Sequence, residues 1–161
     1  MVNLIDTRYI KKARKEHKCN YCSKLIKIGE SYQNDLCKDG IDIYHWKSCP
    51  KCAFFAHELW EYIDPDWGLD GDGLNDGMTS FLQEFICPNC ENWSKDYHEC
   101  DEDYSSFECE DKIYELLKVK KLVWDKNKGF WNQGSYILVD RNEPVDEYSY
   151  TLEAMEVYKK K

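Results

Sequence analysis

Cysteine is the residue type that gives this sequence its chemistry, with nine copies in 161 residues. Six of the nine form pairs separated by two residues: Cys19/Cys22, Cys49/Cys52 and Cys87/Cys90. Two thiolates at this spacing can reach one ion, and zinc prefers a tetrahedron of Cys or His ligands. In an oxidising compartment the same residues would form disulfides, but the N-terminal segment lacks the apolar core of a secretory signal. We therefore expect a cytoplasmic protein whose cysteines hold metal.

The first predicted zinc site combines the first two pairs and has four ligands: Cys19, Cys22, Cys49 and Cys52. Between the pairs, Asp39-Gly40 is a favoured hairpin turn with strand-forming residues on both sides. Residues 48–63 then show apolar side chains at helical spacing, with Ser48 as a candidate N-cap and Pro50 suited to the first turn. A knuckle, a hairpin and a helix that brings the second ligand pair are the parts of a treble clef.

Residues 14–56 resemble the poly(ADP-ribose) polymerase-type zinc finger and small zinc fingers of bacteriophage proteins. The shared features are the first cysteine pair, Ile26 and Gly29 after it, and Trp46 before the second pair. The sequence departs from the polymerase type at Cys49, where that family has a histidine ligand. The resemblance implies a metal site, and it carries over no nucleic-acid-binding residues.

A second predicted site lies in the segment 85–117 and again uses four cysteines: Cys87, Cys90, Cys100 and Cys109. Cys109 would stand at the start of a helix with apolar residues on one side. Two histidines are alternative ligands: His45 for Cys49 in the first site, and His98 for Cys100 in the second. Cys37 remains outside both sites and is interpreted as a small buried or edge residue. The sequence thus predicts two Zn²⁺ ions.

Charge is distributed very unevenly around a net value of −9. Residues 58–111 contain seventeen acids and one base, for a net charge of −16. The flanking segments carry net charges of +4 (1–18), +1 (19–57) and +2 (112–161). An acidic stretch of this kind is either a solvated surface or a surface that binds a basic partner.

These features predict an α+β fold of two small zinc-stabilised modules, the first treble-clef-like, followed by a β-rich tail. The predicted segments are a first module with a basic N-terminal arm (1–66), a Gly/Asp-rich linker (67–79), an acidic second module (80–122) and a β-rich segment (123–161). The linker lacks the Glu that closes an EF-hand, so we interpret it as a loop. Ser80 and Gln83 have capping-box spacing and predict a short helix after it. Strands should flank a turn near 127–129, and residues 151–161 suit a helix or a strand.

We expect a non-catalytic protein, because catalytic zinc needs an open coordination position and both predicted sites offer four sulfurs. The leading hypothesis is a phage-type inhibitor, anti-CRISPR-like or anti-restriction-like, that acts in the host cytoplasm. Its acidic surface would bind a basic host protein that handles nucleic acid or a defence protein, with the partner residues Asp101, Glu102, Asp103 and Glu108. The alternative is a nucleic-acid-binding zinc finger that uses a basic run: Lys11, Lys12, Arg14 and Lys15.

Overall fold

A computed structural model describes residues 2–66, 68–91, 93–94, 99–100, 109–129, 131, 133–142 and 149–151. This part of the chain has an α+β fold with small antiparallel sheets. Its α-helices are α1 (Pro50–Ile63), α2 (Gly71–Phe81) and α3 (Glu110–Val119). Its strands are β1 (Val2–Ile10), β2 (His17–Lys18), β3 (Leu25–Ile26), β4 (Tyr32–Asp39), β5 (Asp42–Ser48), β6 (Trp93–Ser94), β7 (Glu99–Cys100), β8 (Lys120–Asp125), β9 (Ser135–Asp140) and β10 (Ser149–Thr151). None of these helices has the length and apolar character needed to cross a membrane.

The first sheet consists of β1, β4 and β5, with β4 in the centre. Asp39 and Asp42 pair across the turn between β4 and β5. Of the two turn residues only Gly40 has a positive φ, of +59°, which is the pattern of a type II′ hairpin. The predicted hairpin at Asp39-Gly40 is therefore confirmed. The predicted basic N-terminal arm begins instead with β1, so residues 2–10 belong to the sheet.

The helix predicted at 48–63 begins at Pro50, whose missing N–H suits the first helical position. Ser48 is not its cap. This residue ends β5, it is fully buried, and its hydroxyl oxygen has no hydrogen-bond partner. A backbone hydrogen bond closes the first turn: the N–H of Ala53 donates to the carbonyl of Cys49 at 2.9 Å.

The apolar face of α1 is largely as the helical spacing predicts. Phe55 and Leu59 are 1% and 0% exposed, and Ala56 is also buried. Trp60 follows Ala56 by four residues, at the same helical spacing, but it is 36% exposed. It follows Leu59 by only 100° around the helix, so its ring lies at the edge of the buried stripe.

The Gly/Asp-rich segment interpreted as a loop contains most of α2, so that prediction is wrong for residues 71–79. The side chain of Asp70 accepts a hydrogen bond of 2.8 Å from the N–H of Gly73, as an N-cap does. Leu74, Met78 and Phe81 are completely buried at helical spacing. The helix therefore begins well before Ser80, the start that the capping-box spacing predicted.

Two glycines of α2 are needed for close packing rather than for a turn. A Cβ atom at Gly71 would lie 2.5 Å from the carbonyl oxygen of Tyr21. A Cβ atom at Gly77 would lie 2.3 Å from the side chain of Ile63. Both distances are far below van der Waals contact, so the lack of a side chain lets α2 approach its neighbours.

After α2 the chain forms two short helical segments of other types. Leu82–Ile86 form a π-helical turn, and Cys87–Asn89 form a 3₁₀ turn in which the N–H of Cys90 donates to the carbonyl of Cys87 at 2.9 Å. Short π and 3₁₀ segments often occur where a helix is adapted to a site. The Cys87/Cys90 pair of the second predicted site is thus held by a tight backbone turn.

Strands β8, β9 and β10 lie in or next to the C-terminal part for which a β-rich character is predicted, and they form a sheet with β8 in the centre. A turn at 126–129 separates β8 from β9, close to its predicted position. α3 begins just after Cys109, as expected. Residues 152–161 lie outside the described part of the chain, so their helix-or-strand alternative stays open.

The chain divides into two compact units. Unit 1 comprises residues 1–57 and 63–77, and unit 2 comprises residues 58–62 and 78–161. In unit 2, Tyr62 contacts the rings of Phe81, Phe85 and Tyr136 at centroid distances of 5.7–6.1 Å. The Tyr136 hydroxyl also donates to the carbonyl of Glu61 at 2.9 Å, which fixes this aromatic cluster.

A second contact in unit 2 joins Arg141 to Glu58 and to the last turn of α3. The guanidinium lies 2.9 Å from the Glu58 carboxylate, and its Nε donates to the carbonyl of Leu117 at 2.9 Å. Both side chains are largely buried, with exposed fractions of 29% and 12%. Arg141 therefore neutralises a buried acid and also satisfies a carbonyl at the helix end.

We expect Arg141→Ala to lower the free energy of unfolding by about 1–3 kcal/mol, between the effects of exposed and fully buried ion pairs. The loss arises because Glu58 would remain buried without its cation. Lys118→Ala is a matched control: it removes a largely exposed pair with Glu115 and should cost less than about 0.5 kcal/mol. Urea unfolding monitored by tryptophan fluorescence measures both, and equal effects would contradict the assignment.

Candidate metal centre

Cys19 and Cys22 lie in the turn that joins β2 to β3. The N–H of Cys19 donates to the carbonyl of Lys24, and the N–H of Ser23 donates to the carbonyl of Cys19, both at 2.9 Å. Ser23 adopts the left-handed conformation, with φ at +61°. These bonds close a compact knuckle around the two sulfurs, as a Cys-x-x-Cys pair requires in order to reach one ion.

Cys49 and Cys52 come from the junction of β5 and α1. Cys49 follows the last residue of β5, and Cys52 lies in the first turn of the helix. The backbone N–H of Cys49 donates to the Sγ of Cys19 at 3.3 Å. The N-terminal end of a helix also favours negative charge, so this position stabilises thiolates.

Asn20 ties the knuckle to β5. Its backbone N–H donates to the carbonyl of Lys47, and its side-chain oxygen accepts from the N–H of Lys47, both at 2.7 Å. The two halves of the site are thereby held together by backbone geometry as well as by any metal. Sequence reasoning missed this role, and the only available signal was the position of Asn20 inside the knuckle.

The four ligand atoms form one group in which every pair of sulfurs lies within 4.8 Å. The sulfurs of Cys22 and Cys49 are 4.0 Å apart. A tetrahedron with zinc–sulfur bonds of about 2.3 Å places its sulfurs about 3.8 Å apart, so the group fits zinc with little adjustment. The eight cysteines whose side chains are described are free thiols, which rules out a disulfide within this group.

The four sulfurs also control one another's ionisation. Hydrogen bonds from the thiols of Cys49 and Cys52 lower the pKa of Cys19. The hydrogen bond to Cys19 in turn raises the pKa of Cys49 to about 11. Interaction with both neighbours, together with burial, raises the pKa of Cys52 above its usual range. Ionisation of one thiol therefore opposes that of the others, and a divalent cation would be needed to stabilise four thiolates together.

Other residues considered for the first site do not join it. His45, the alternative ligand, is exposed on β5 and is not part of the four-sulfur group. Cys37 is buried in β4, and burial raises the pKa of its thiol. It is a small core residue, as predicted. His17 contacts the ring of Tyr32 at a centroid distance of 4.9 Å.

The second predicted site is described only in part. Cys87 and Cys90 flank the 3₁₀ turn, and Cys109 precedes α3. The ammonium of Lys112 donates to the Sγ of Cys90 at 3.6 Å. The side chain of Cys100 and the whole of His98 lie outside the described residues. This four-cysteine site therefore stays a prediction.

Only some of the predicted partner-binding residues lie in the part of the chain that the structure describes. The acidic residues from the leading hypothesis lie outside the described part of the chain: Asp101, Glu102, Asp103 and Glu108. The basic residues from the alternative are described, and all are exposed in the connection between β1 and β2: Lys11, Lys12, Arg14 and Lys15.

Comparisons with known proteins identify no relative: no family model, no curated protein and no solved structure matches the chain. The zinc-finger resemblance of residues 14–56 therefore depends only on the cysteine pairs and on Ile26, Gly29 and Trp46. The four-cysteine group supports a zinc-binding site, and it does not identify a family.

We expect Cys52→Ser to remove one equivalent of zinc from the purified protein, because a three-thiolate site binds the ion much more weakly. Cys37→Ser is the matched control, since it changes a buried cysteine outside the group and should leave the zinc content unchanged. Elemental analysis by mass spectrometry after gel filtration measures both variants. Zinc retained by Cys52→Ser, or lost from Cys37→Ser, would show that this group is not the ligand set.

Proposed function

We propose that this protein is a non-catalytic, zinc-stabilised interaction protein whose acidic surface binds a basic protein partner. The observation that carries the proposal is the charge distribution. Residues 52–94 contain nine acids and neither Lys nor Arg, and the wider segment 58–111 has a net charge of −16. A surface of one sign creates a field that speeds encounter with an opposite charge and excludes like-charged partners.

The described part of this acidic segment supports the proposal through its exposure. Five aspartates of residues 63–77 are exposed to solvent, either in α2 or just before it: Asp64, Asp66, Asp70, Asp72 and Asp76. Because no base lies nearby in sequence to neutralise them, their charge is available to a partner. Carboxylates arranged in this way resemble the phosphates of nucleic acid to a basic groove.

The partner we propose is therefore a host protein that handles nucleic acid, or a defence nuclease, and the protein would act as its inhibitor in the host cytoplasm. This places it functionally with anti-CRISPR-like and anti-restriction-like phage proteins. The zinc-finger resemblance and the acidic surface are its two supports. Inhibition would follow from occupation of the partner's basic groove, with no reaction performed by this chain.

Zinc has a structural role in this proposal. We infer that the knuckle, the β4–β5 hairpin and α1 form a treble-clef finger around one ion. A second ion would be held by four further cysteines: Cys87, Cys90, Cys100 and Cys109. Two four-sulfur sites are closed to substrate, which accords with a non-catalytic function. The native protein should then contain two equivalents of zinc, and Cys87→Ser should remove one of them.

Charge reversal tests the acidic surface. We expect the triple variant Asp101→Lys, Glu102→Lys and Asp103→Lys to bind a basic nuclease at least about tenfold more weakly at low salt, since each reversal replaces attraction with repulsion. Added salt should weaken binding of the unchanged protein. The measurement is titration against a panel of purified host nucleases by isothermal calorimetry and by inhibition of cleavage.

The matched control reverses charge on the basic side, in the double variant Lys11→Glu and Lys12→Glu. It should bind the nuclease as well as the unchanged protein or better. Nuclease binding that is indifferent both to salt and to the acidic triple variant would rule out the proposed mode.

A second candidate function, nucleic-acid binding, is favoured by a specific arrangement on the first sheet. Arg8 on β1, Asn34 on β4 and Lys47 on β5 occupy one register row, so the two cations share a face about 10 Å apart. The exposed basic run at 11–15 directly follows β1. Phosphates along a strand are spaced closely enough to contact several such cations.

This alternative predicts that the protein shifts single- or double-stranded oligonucleotides in a gel at micromolar concentration and low salt. The variant Lys11→Glu with Lys12→Glu should then bind more weakly, and the slope of log affinity against log salt should become shallower by about two, one for each phosphate contact. The acidic triple variant serves as the control and should bind at least as well. No shift by the unchanged protein would eliminate the alternative.

A further inference from the structure

β1 leaves an open edge on the first sheet. β4 is the only strand that pairs with β1 in the described part of the chain. Six of its nine residues are exposed, among them Leu4 and Tyr9 at 62% and Ile5 at 51%. An unpaired edge presents a row of N–H and C=O groups that can accept another strand.

The opposite edge of the same sheet is already occupied. β5 is the other outer strand, and both backbone groups of its Lys47 are bonded to Asn20 of the knuckle at 2.7 Å. These bonds block strand addition at that point. The sheet can therefore be extended by β-pairing at β1 and not at this part of β5.

A β-bulge limits which part of β1 can pair. The register to β4 shifts between Leu4 and Asp6, so Ile5 is the additional residue. Bulges commonly protect an edge, because they interrupt the regular row of backbone groups. From Asp6 to Ile10 the pairing with β4 is regular, and this half of the strand remains suitable for a partner.

The side chains of this half are self-complementary about Thr7. Residues 5–9 read Ile-Asp-Thr-Arg-Tyr, so a basic residue and an acidic residue lie at equal distances from the central threonine. We propose that two copies of this chain dimerise by antiparallel pairing of their β1 edges, with the two-fold axis at Thr7. The result is a continuous six-stranded sheet in the order β5-β4-β1-β1-β4-β5.

In this register every cross-strand pair is favourable. Asp6 of each copy lies directly opposite Arg8 of the other, and Thr7 lies opposite Thr7. Ile5, the bulge residue, lies outside the regular pairs and near Tyr9 of the other copy at both ends, so these exposed apolar side chains can cover each other. Opposite charges, threonine pairs and aromatic–aliphatic pairs each stabilise an antiparallel ladder. Asp6 and Arg8 already form a 2.8 Å ion pair within one chain, so the dimer would contain an alternating cluster of four charges.

Self-complementarity favours a second copy over an unrelated strand and disfavours the two adjacent registers. An axis at Arg8 would place two arginines opposite each other, and an axis at Asp6 would place two aspartates opposite each other. Both alternatives are repulsive. An isologous interface of this kind closes after two copies, so it gives a dimer and not a fibre.

Analytical ultracentrifugation of the full-length, zinc-loaded protein tests the proposal. We expect a concentration-dependent dimer whose dissociation constant rises by about tenfold in Asp6→Arg, since both ion pairs become arginine–arginine contacts. Arg8→Asp should have a similar effect. The double variant Asp6→Arg with Arg8→Asp exchanges the charges and should restore dimerisation. Because all these side chains are on an edge strand, circular dichroism and zinc content should be unchanged.

A cross-linking variant tests the register directly. Thr7→Cys should form a covalent dimer on mild oxidation, because the two-fold axis places this residue opposite itself. Tyr9→Cys is the matched control: its two copies would lie about 13 Å apart along the strands and should not cross-link. A monomer at concentrations up to about 1 mM would overturn the proposal. So would a dimer that survives Asp6→Arg, is not restored by the charge exchange, or cross-links equally at both positions.

Discussion

The convergence of four thiol sulfurs is the constraint on which the first unit depends. Cys19 and Cys22 are separated from Cys49 and Cys52 by a whole hairpin, so the chain must leave the knuckle, turn at Gly40 and return within hydrogen-bond distance of it. Closing such a loop costs conformational entropy, and a small core supplies little to offset that cost. The thiols also resist simultaneous ionisation. A divalent cation bound by the four sulfurs would remove this repulsion and fix the loop, and folding and metal binding would then become one process.

The first unit contains two segments of opposite net charge. Residues 1–57 have five more bases than acids, whereas residues 63–77 contain five aspartates and no base. Their formal charges cancel, and four thiolates around one zinc ion would add a further −2. The net charge of the unit is therefore a poor guide to its partners. A partner is attracted or repelled by the charged segment nearest to it, since the fields of exposed groups fall off within about 10 Å at ordinary salt.

Features that depend on residues close together in the sequence could be predicted from the sequence alone. The ligand set of the first site follows from thiol spacing, the hairpin from Asp39-Gly40, and the start of α1 from Pro50. α2 was missed because its glycines suggested a loop, whereas Gly71 and Gly77 serve contacts with Tyr21 and Ile63, which are distant in sequence. The exposure of Trp60 and the bonds between Asn20 and Lys47 are likewise set by tertiary neighbours. No local pattern contains that information.

Within the part of the chain that the structure describes, the knuckle of the candidate metal centre lies against the β5 edge of the first sheet and leaves the β1 edge open. Asn20 lies in the knuckle that supplies Cys19 and Cys22, and it forms hydrogen bonds with both backbone groups of Lys47 in β5. After β5 the chain continues into Cys49 and α1. One outer strand is thus committed to holding the ligands together. β1 supplies none of the four ligand cysteines, so the metal site does not constrain its side chains. Asp6 and Arg8 lie at equal distances on either side of Thr7, a pattern that would give a paired edge strand a preferred register.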